Sequence, residues 1–80
     1  MKSKFIPLAD YLARKNENRI VLSFDEIETI LAFELCYSAK NYTAYWHESE
    51  THILPKICLM YGYEVESVDL DSKLVTFVRH

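Results

Sequence analysis

The chain has 80 residues, half of them hydrophobic and 14% aromatic, and its formal net charge is −3. This length predicts a single domain over residues 1–80. Because neutralised phosphates supply most of the affinity for nucleic acids, the acidic balance disfavours a strongly DNA-binding surface and suits a protein partner. One glycine and two prolines exclude long flexible linkers.

The N-terminal sequence gives no sign of secretion. Lys2 and Lys4 are not followed by the apolar segment that a signal peptide carries, and no apolar run approaches the length of a membrane span. We therefore expect a cytoplasmic protein without a membrane span. In that compartment Cys36 and Cys58 are expected to be reduced thiols.

The first third of the chain predicts a helix, a strand and a second helix. Pro7 suits a first helical turn, and the apolar residues after it recur at helical spacing, which predicts a helix over residues 7–15. A short alternating pattern over residues 19–23 predicts a strand. Ser23 and Glu26 then form a capping-box pattern that starts the second helix. The buried stripe of this helix is expected to contain Ile27, Ile30 and Leu31.

Residues 33–51 have no dominant period. We expect a short helix from about Ser38, followed by an aromatic loop. The third long helix starts near Thr51, or at Leu54 with Pro55 as its first helical residue. Its apolar face is expected to contain Ile53, Leu54, Ile57, Cys58 and Tyr61.

The last third predicts a helix stop and a β-hairpin. Gly62 lies where a left-handed C-cap is needed, and residues 63–70 then form a strand with a bulge near residues 66–67. A turn over residues 71–73 leads to the return strand, residues 74–79, which we expect at the outer edge of the hairpin. An edge-to-edge homodimer is therefore an alternative to a monomer. The acids of the hairpin, expected to form a solvated face, are Glu64, Glu66, Asp69 and Asp71.

The resulting order, α-β-α-α-β-β with a C-terminal β-hairpin, predicts a small α+β domain that is winged-helix-like. The sequence also resembles a family of small uncharacterised bacterial and phage domains. The residues that carry this resemblance are Pro7-Leu8, Tyr11-Leu12, Leu22-Ser23-Phe24, Glu26-Ile27-Glu28, Ile30-Leu31, Leu35, Ser38-Ala39, Trp46, His52, Gly62-Tyr63, Val65 with Glu66-Ser67-Val68-Asp69-Leu70, Val75, Phe77 and Arg79.

The chain departs from that family where the family is polar. The family's pattern is a tryptophan pair followed by asparagine, whereas this chain has Tyr45-Trp46 followed by His47. Leu54-Pro55 replaces the family's Gln-Ala, and Cys58 replaces a tryptophan. The scaffold positions are thus kept and much of the polar signature is lost. Since the family is uncharacterised, the resemblance implies a fold more than a function.

The candidate contact residues lie in the aromatic middle of the chain and at the start of the third long helix. Tyrosine and tryptophan rings can anchor a protein partner or stack on bases, and they can equally fill a small core, which is the simpler interpretation here. The candidates for contact with a protein or a nucleic acid are Lys40, Asn41, Tyr42, Tyr45, Trp46, His47, His52 and Lys56.

No catalytic, metal or cofactor site is predicted. Cys36, His47, His52 and Cys58 are residue types that bind zinc, but the close Cys-x-x-Cys pairs of structural zinc sites are absent. The acids and lysine of residues 69–73 suit a hairpin turn better than a nuclease site. The first hypothesis is therefore a non-enzymatic interaction domain with a protein partner, and the alternative is a DNA-binding winged-helix domain.

Overall fold

The structure is a computed structural model that describes residues 3–47 and 53–80. Within these residues, a helix and a strand precede a run of helices and a C-terminal hairpin, which confirms the α+β class. The elements are α1 (Ile6–Lys15), β1 (Arg19–Ser23), α2 (Phe24–Leu31), α3 (Tyr37–Asn41), a 3₁₀ helix (Thr43–Trp46), α4 (Ile53–Met60), β2 (Tyr63–Asp69) and β3 (Leu74–Arg79). The expected short helix is α3, and the expected aromatic loop contains the 3₁₀ helix.

The caps of the first two helices follow from local sequence. Helix α1 carries Pro7 in its first turn. Its C-cap is Asn16, whose N–H donates to the Leu12 carbonyl oxygen at 3.1 Å and whose φ of 54° turns the chain out of the helix. The capping box of α2 is confirmed. The Glu26 N–H donates to Ser23 Oγ at 3.0 Å, and the Ser23 N–H donates to Glu26 Oε1 at 2.8 Å.

The three strands form one antiparallel sheet in the order β1-β3-β2. Strand β3 is therefore central, and the expectation that residues 74–79 form an outer edge is wrong. The reason is the pattern of buried residues: Val75 and Phe77 point to the core on β3, and the partners of these two residues on β1, Leu22 and Ile20, are buried beside them. Pairing with β3 thus places the buried residues of β1 in the same apolar layer as those of β3.

The bulge in β2 is confirmed. The register passes from Val65 opposite Phe77 to Ser67 opposite Thr76, so Glu66 is the extra residue. The four acids of the hairpin are exposed, as expected. Glu66 reaches across β3 to Arg19, where Oε1 and Nη1 lie 2.7 Å apart.

Gly62 follows α4 with a φ of +95°, a conformation that L-residues with a side chain rarely adopt. Its N–H donates to the Leu59 carbonyl oxygen at 3.0 Å, so the predicted helix stop is confirmed. The start of α4, expected near Thr51, lies outside the described residues. The buried face of the helix differs from the expected one, because Pro55 is buried whereas Ile53 and Tyr61 are 44% and 40% exposed.

The helices cover one face of the sheet and leave the other open. The core lies between them, and its largest fully buried side chains are Trp46, Tyr63, Phe77, Leu8, Leu12, Ile27, Leu54, Val75 and Cys58. On the open face, Val21 of β1 and Leu74 of β3 are 47% and 37% exposed. One-sided burial of this kind is typical of small antiparallel sheets packed against helices.

Candidate interaction site

Helix α3 is short and is held in place by its neighbours. Ala39 is fully buried, which fixes the face that α3 turns to the core. Lys40 Nζ lies 3.0 Å from Glu28 Oε2 and 3.1 Å from Glu34 Oε2. Asn41 Nδ2 donates to the Tyr37 carbonyl oxygen at 2.9 Å. A five-residue helix is unstable by itself, so these contacts set its position.

Glu28 links α2 to the segment before α3. Its Oε2 accepts the Leu35 N–H at 2.8 Å in addition to the contact with Lys40. The Leu35 N–H and then the Lys40 ammonium lower the pKa of the Glu28 carboxyl, while hydrogen bonds to Glu28 and Glu34 raise the pKa of Lys40. Lys40 therefore remains charged at neutral pH, and two carboxylates compensate that charge.

Tyr37 and Tyr42, which we call the tyrosine patch, lie at the two ends of α3 and are 70% and 54% exposed. Their ring centroids are 6.0 Å apart with an interplanar angle of 68°, an edge-to-face arrangement that orients both rings. Lys40 and Asn41 also line a cavity of about 290 Å³. The other residues of its lining are Phe24, Asp25, Glu28 and Lys73.

Trp46 belongs to the core, which corrects its place among the candidate contacts. It is 1% exposed, and its Nε1 donates to the Ala39 carbonyl oxygen at 2.8 Å. The ring therefore offers almost no surface to a partner. Tyr45 is half-buried and packs edge-on against Trp46 with the centroids 5.4 Å apart. Burial, followed by the neighbouring Cys36 thiol, raises the pKa of Tyr45 to about 12.

The remaining candidates do not gather at the tyrosine patch. His47 is exposed and lines a different cavity of about 180 Å³, together with Trp46, Pro55, Leu59, Glu64 and Val65. Lys56 is exposed on α4 and lines neither cavity. His52 lies outside the described residues. Lys40 and Asn41 thus share one cavity and Tyr42 follows them directly in the chain, whereas His47 lines another cavity and Lys56 lines neither.

Sequence reasoning left Tyr37 and Lys73 off the list of candidate contacts. Tyr37 was visible in the aromatic segment, and its position two residues before Ala39 could have placed it on the solvent face of α3. Lys73 comes close to α3 only because the β2–β3 turn packs beside α2: its carbonyl oxygen accepts the Phe24 N–H at 2.9 Å. No local pattern signals that contact.

The arginines of the domain are engaged in contacts within the chain. Arg79 Nη2 donates to the Asn16 carbonyl oxygen at 2.7 Å and to Asn16 Oδ1 at 2.8 Å, and Nε donates to Asn18 Oδ1 at 3.1 Å. The same guanidinium lies 5.5 Å from the centroid of the Tyr63 ring. Arg14 pairs with Asp10 at 2.7 Å. Arg79 therefore ties β3 to the α1–β1 loop.

The two thiols differ in environment. Cys36 is exposed, whereas Cys58 is fully buried and burial raises its pKa to about 12. In residues 3–47 and 53–80, no three or more His, Cys, Asp or Glu side chains gather where they could hold a metal ion. The same residues contain no helix that is both long and apolar enough to cross a bilayer.

The fold and the site define a small α+β domain that exposes an oriented pair of tyrosines beside a polar cavity. The chain belongs to a family described as a domain of unknown function (DUF7662), whose sequence profile matches residues 5–80. No curated protein and no solved structure matches the chain.

Proposed function

We propose that this domain is a non-enzymatic interaction domain that binds a protein partner through the tyrosine patch. The observation that carries the proposal is the exposure of Tyr37 and Tyr42 in a domain that buries Trp46, Tyr63 and Phe77. Large aromatic side chains add much to the stability of a small core. The exposure of two adjacent rings therefore indicates a role other than core packing.

The chemistry of the tyrosine patch suits a protein surface. Tyrosine is enriched at binding hot spots because it buries a large ring and offers a hydroxyl with few rotatable bonds. The edge-to-face packing of Tyr37 and Tyr42 orients both rings before binding, which lowers the entropic cost of association. Asn41 and Lys73 line the adjacent cavity and supply polar groups at its rim.

The alternative proposal is a winged-helix-like domain that binds DNA. It is supported by the order of elements, in which a strand after the first helix pairs with a C-terminal hairpin. Two observations weigh against it. The hairpin that would act as the wing exposes Glu64, Glu66 and Asp69, and Lys40 is already paired with two carboxylates.

Site-specific photo-crosslinking in the native host tests the first proposal. A photoreactive phenylalanine analogue replaces Tyr37 or Tyr42, and the same analogue at Tyr61, 40% exposed on α4, is the matched control. We expect a discrete crosslinked protein from positions 37 and 42 and none from position 61. Equal yields from all three positions, or none from any, would overturn the tyrosine patch as the binding surface.

Titration with duplex and single-stranded DNA at low and moderate salt tests the alternative. The protein-partner proposal predicts that the domain binds no DNA at either salt concentration. Salt-sensitive affinity that falls in Lys56→Ala and Lys73→Ala would favour the DNA-binding alternative. Arg79 is unsuitable for this comparison, because its contacts with Asn16 and Asn18 make it part of the fold.

A further inference from the structure

The two edges of the sheet are protected very differently. Strand β2 carries a bulge at Glu66 and exposes Glu64, Glu66 and Asp69, features that natural proteins use to keep a sheet edge from pairing with another chain. Strand β1 has no bulge, proline or acid, and Arg19 is its only charged residue. No strand of the described chain pairs with the outer side of β1.

The hydrogen bonds to β3 show which backbone groups of β1 point outward. The Arg79 N–H donates to the Asn18 carbonyl oxygen and the Phe24 N–H donates to the Lys73 carbonyl oxygen, each at 2.9 Å. Backbone groups alternate in direction along an antiparallel strand, so those of Ile20 and Leu22 also face β3. The N–H and C=O groups of Arg19 and Val21 consequently face away from the sheet.

A groove lies beside this outer edge. Glu26 connects the outer edge of β1 with the groove. Its carboxylate accepts the outward-facing Ser23 N–H, and its side chain lines the groove. Tyr11 and Ile30, both half-buried, form the apolar part of the groove, and Asp25 and Thr29 complete it. Val21, the middle residue of β1, is 47% exposed on the open face of the sheet.

We propose that β1 pairs antiparallel with β1 of a second copy of this chain, about a twofold axis at Val21. In this register Val21 faces Val21 of the second copy, and the two residues exchange both of their N–H···O bonds. Arg19 faces Ser23 of the second copy, and its N–H donates to that carbonyl oxygen. The result is a continuous six-stranded sheet with the acidic β2 strands at its outer edges.

Charge favours a second copy as the occupant of this edge. The twofold axis brings Arg19 of each chain to the end of β1 at which the first turn of α2 in the other chain carries Asp25 and Glu26. Arg19 pairs with Glu66 of its own chain at an exposed site, where such a pair contributes little stability, so its guanidinium can also face these acids, once on each side of the axis. The arrangement also closes on itself, whereas pairing of β1 with β2 would continue from copy to copy and would meet the bulge.

Sedimentation equilibrium over a range of concentrations tests this dimer. Val21→Lys places two ammonium groups opposite each other at the axis and leaves the core untouched. We expect the wild type to dimerise and Val21→Lys to raise the dissociation constant roughly tenfold or more. Leu74→Lys is the matched control, because Leu74 is 37% exposed on the central strand, and it should dimerise like the wild type. A wild type that is monomeric at every concentration would overturn the proposal.

Amide hydrogen exchange locates the interface independently of any substitution. The Arg19 and Val21 amides should exchange rapidly in dilute solution and more slowly as the concentration rises, whereas in Val21→Lys the Arg19 amide should remain fast at all concentrations. A dimer in which the wild-type Arg19 and Val21 amides stay fast would use another surface, and β1 pairing would then be rejected.

Discussion

The indole ring of Trp46 stacks on the phenyl ring of Phe24, with the centroids 6.0 Å apart and the planes inclined by 13°. Phe24 is the first residue of α2 and Trp46 the last residue of the 3₁₀ helix. This contact and the bond from Trp46 Nε1 to Ala39 attach the whole segment around α3 to the core. The tyrosine patch therefore depends on a buried tryptophan for its position.

Trp46→Ala is expected to lower the free energy of unfolding by about 3–5 kcal/mol, because it empties a fully buried site. Trp46→Phe keeps most of the ring but leaves the buried Ala39 carbonyl oxygen without its donor, at a cost of about 1–3 kcal/mol. Urea unfolding followed by circular dichroism measures both. Tyr42→Ala, at an exposed ring, should stay within about 0.5 kcal/mol of the wild type. A cost for Tyr42→Ala equal to that of Trp46→Phe would contradict this assignment.

Glu28 is expected to make stability depend on acid pH. Its pKa is lower in the folded chain than the ordinary value of 4.5, so its contribution is fully present above that value and is lost as the pH falls through the folded-state pKa. Glu28→Gln should therefore cost roughly 1 kcal/mol near neutral pH and nothing at strongly acid pH. Glu34→Gln, whose side chain is 78% exposed, is the control and should change little. A Glu28→Gln deficit that is constant with pH would refute the ion pair as its cause.

Arg79→Ala should destabilise the fold, because three hydrogen bonds and the contact with the Tyr63 ring are lost together. We expect a cost of roughly 1 kcal/mol, which lowers the melting temperature by about 4–8 °C in a domain of this size. Arg14→Ala removes only a surface pair within α1 and serves as the control, with a cost of about 0.5 kcal/mol at most. Equal melting temperatures for the two variants would argue against a structural role of Arg79.

The two thiols should react at very different rates with a thiol-specific reagent. Cys36 is exposed and should be labelled at once, whereas Cys58 should be labelled only as fast as the domain opens. In Cys36→Ser, rapid labelling should disappear. Fast labelling of Cys36→Ser would show that Cys58 is accessible.

Burial raises the pKa of Cys58 from 9.0 to about 12. The stability of the fold should therefore fall as the pH rises above 9.0, because the thiol ionises first in the unfolded chain.

Local signals in the sequence predicted most of the elements. The pair Ser23 and Glu26, the single Gly62 and the phase change at Glu66 each act within a few residues, and the structure confirms all three. The position of β3 could not be predicted in this way. Its pairing with β1 joins distant parts of the chain, and it depends on how Ile20 and Leu22 fit beside Val75 and Phe77 in one layer.

The candidate site was predicted less well than the fold. Tyrosine and tryptophan are amphipathic, so their presence between residues 37 and 46 did not indicate which rings the core would take. Trp46 is buried in the core, and its indole N–H donates to the Ala39 carbonyl oxygen. Tyr37 and Tyr42 are exposed to solvent. That division depends on the orientation of a five-residue helix, which is set by contacts with the rest of the fold, such as the pair of Lys40 with Glu28 of α2.

The central position of β3 has a consequence for how the domain is made. Strands β1 and β2 do not pair with each other, so neither has a strand partner until Leu74–Arg79 has been synthesised. During translation the emerging chain therefore carries two unpaired strands beside its helices until β3 has been made. Both strand pairings of the described sheet can therefore form only after β3 has been made, and a chain that ended before β3 would form neither of them.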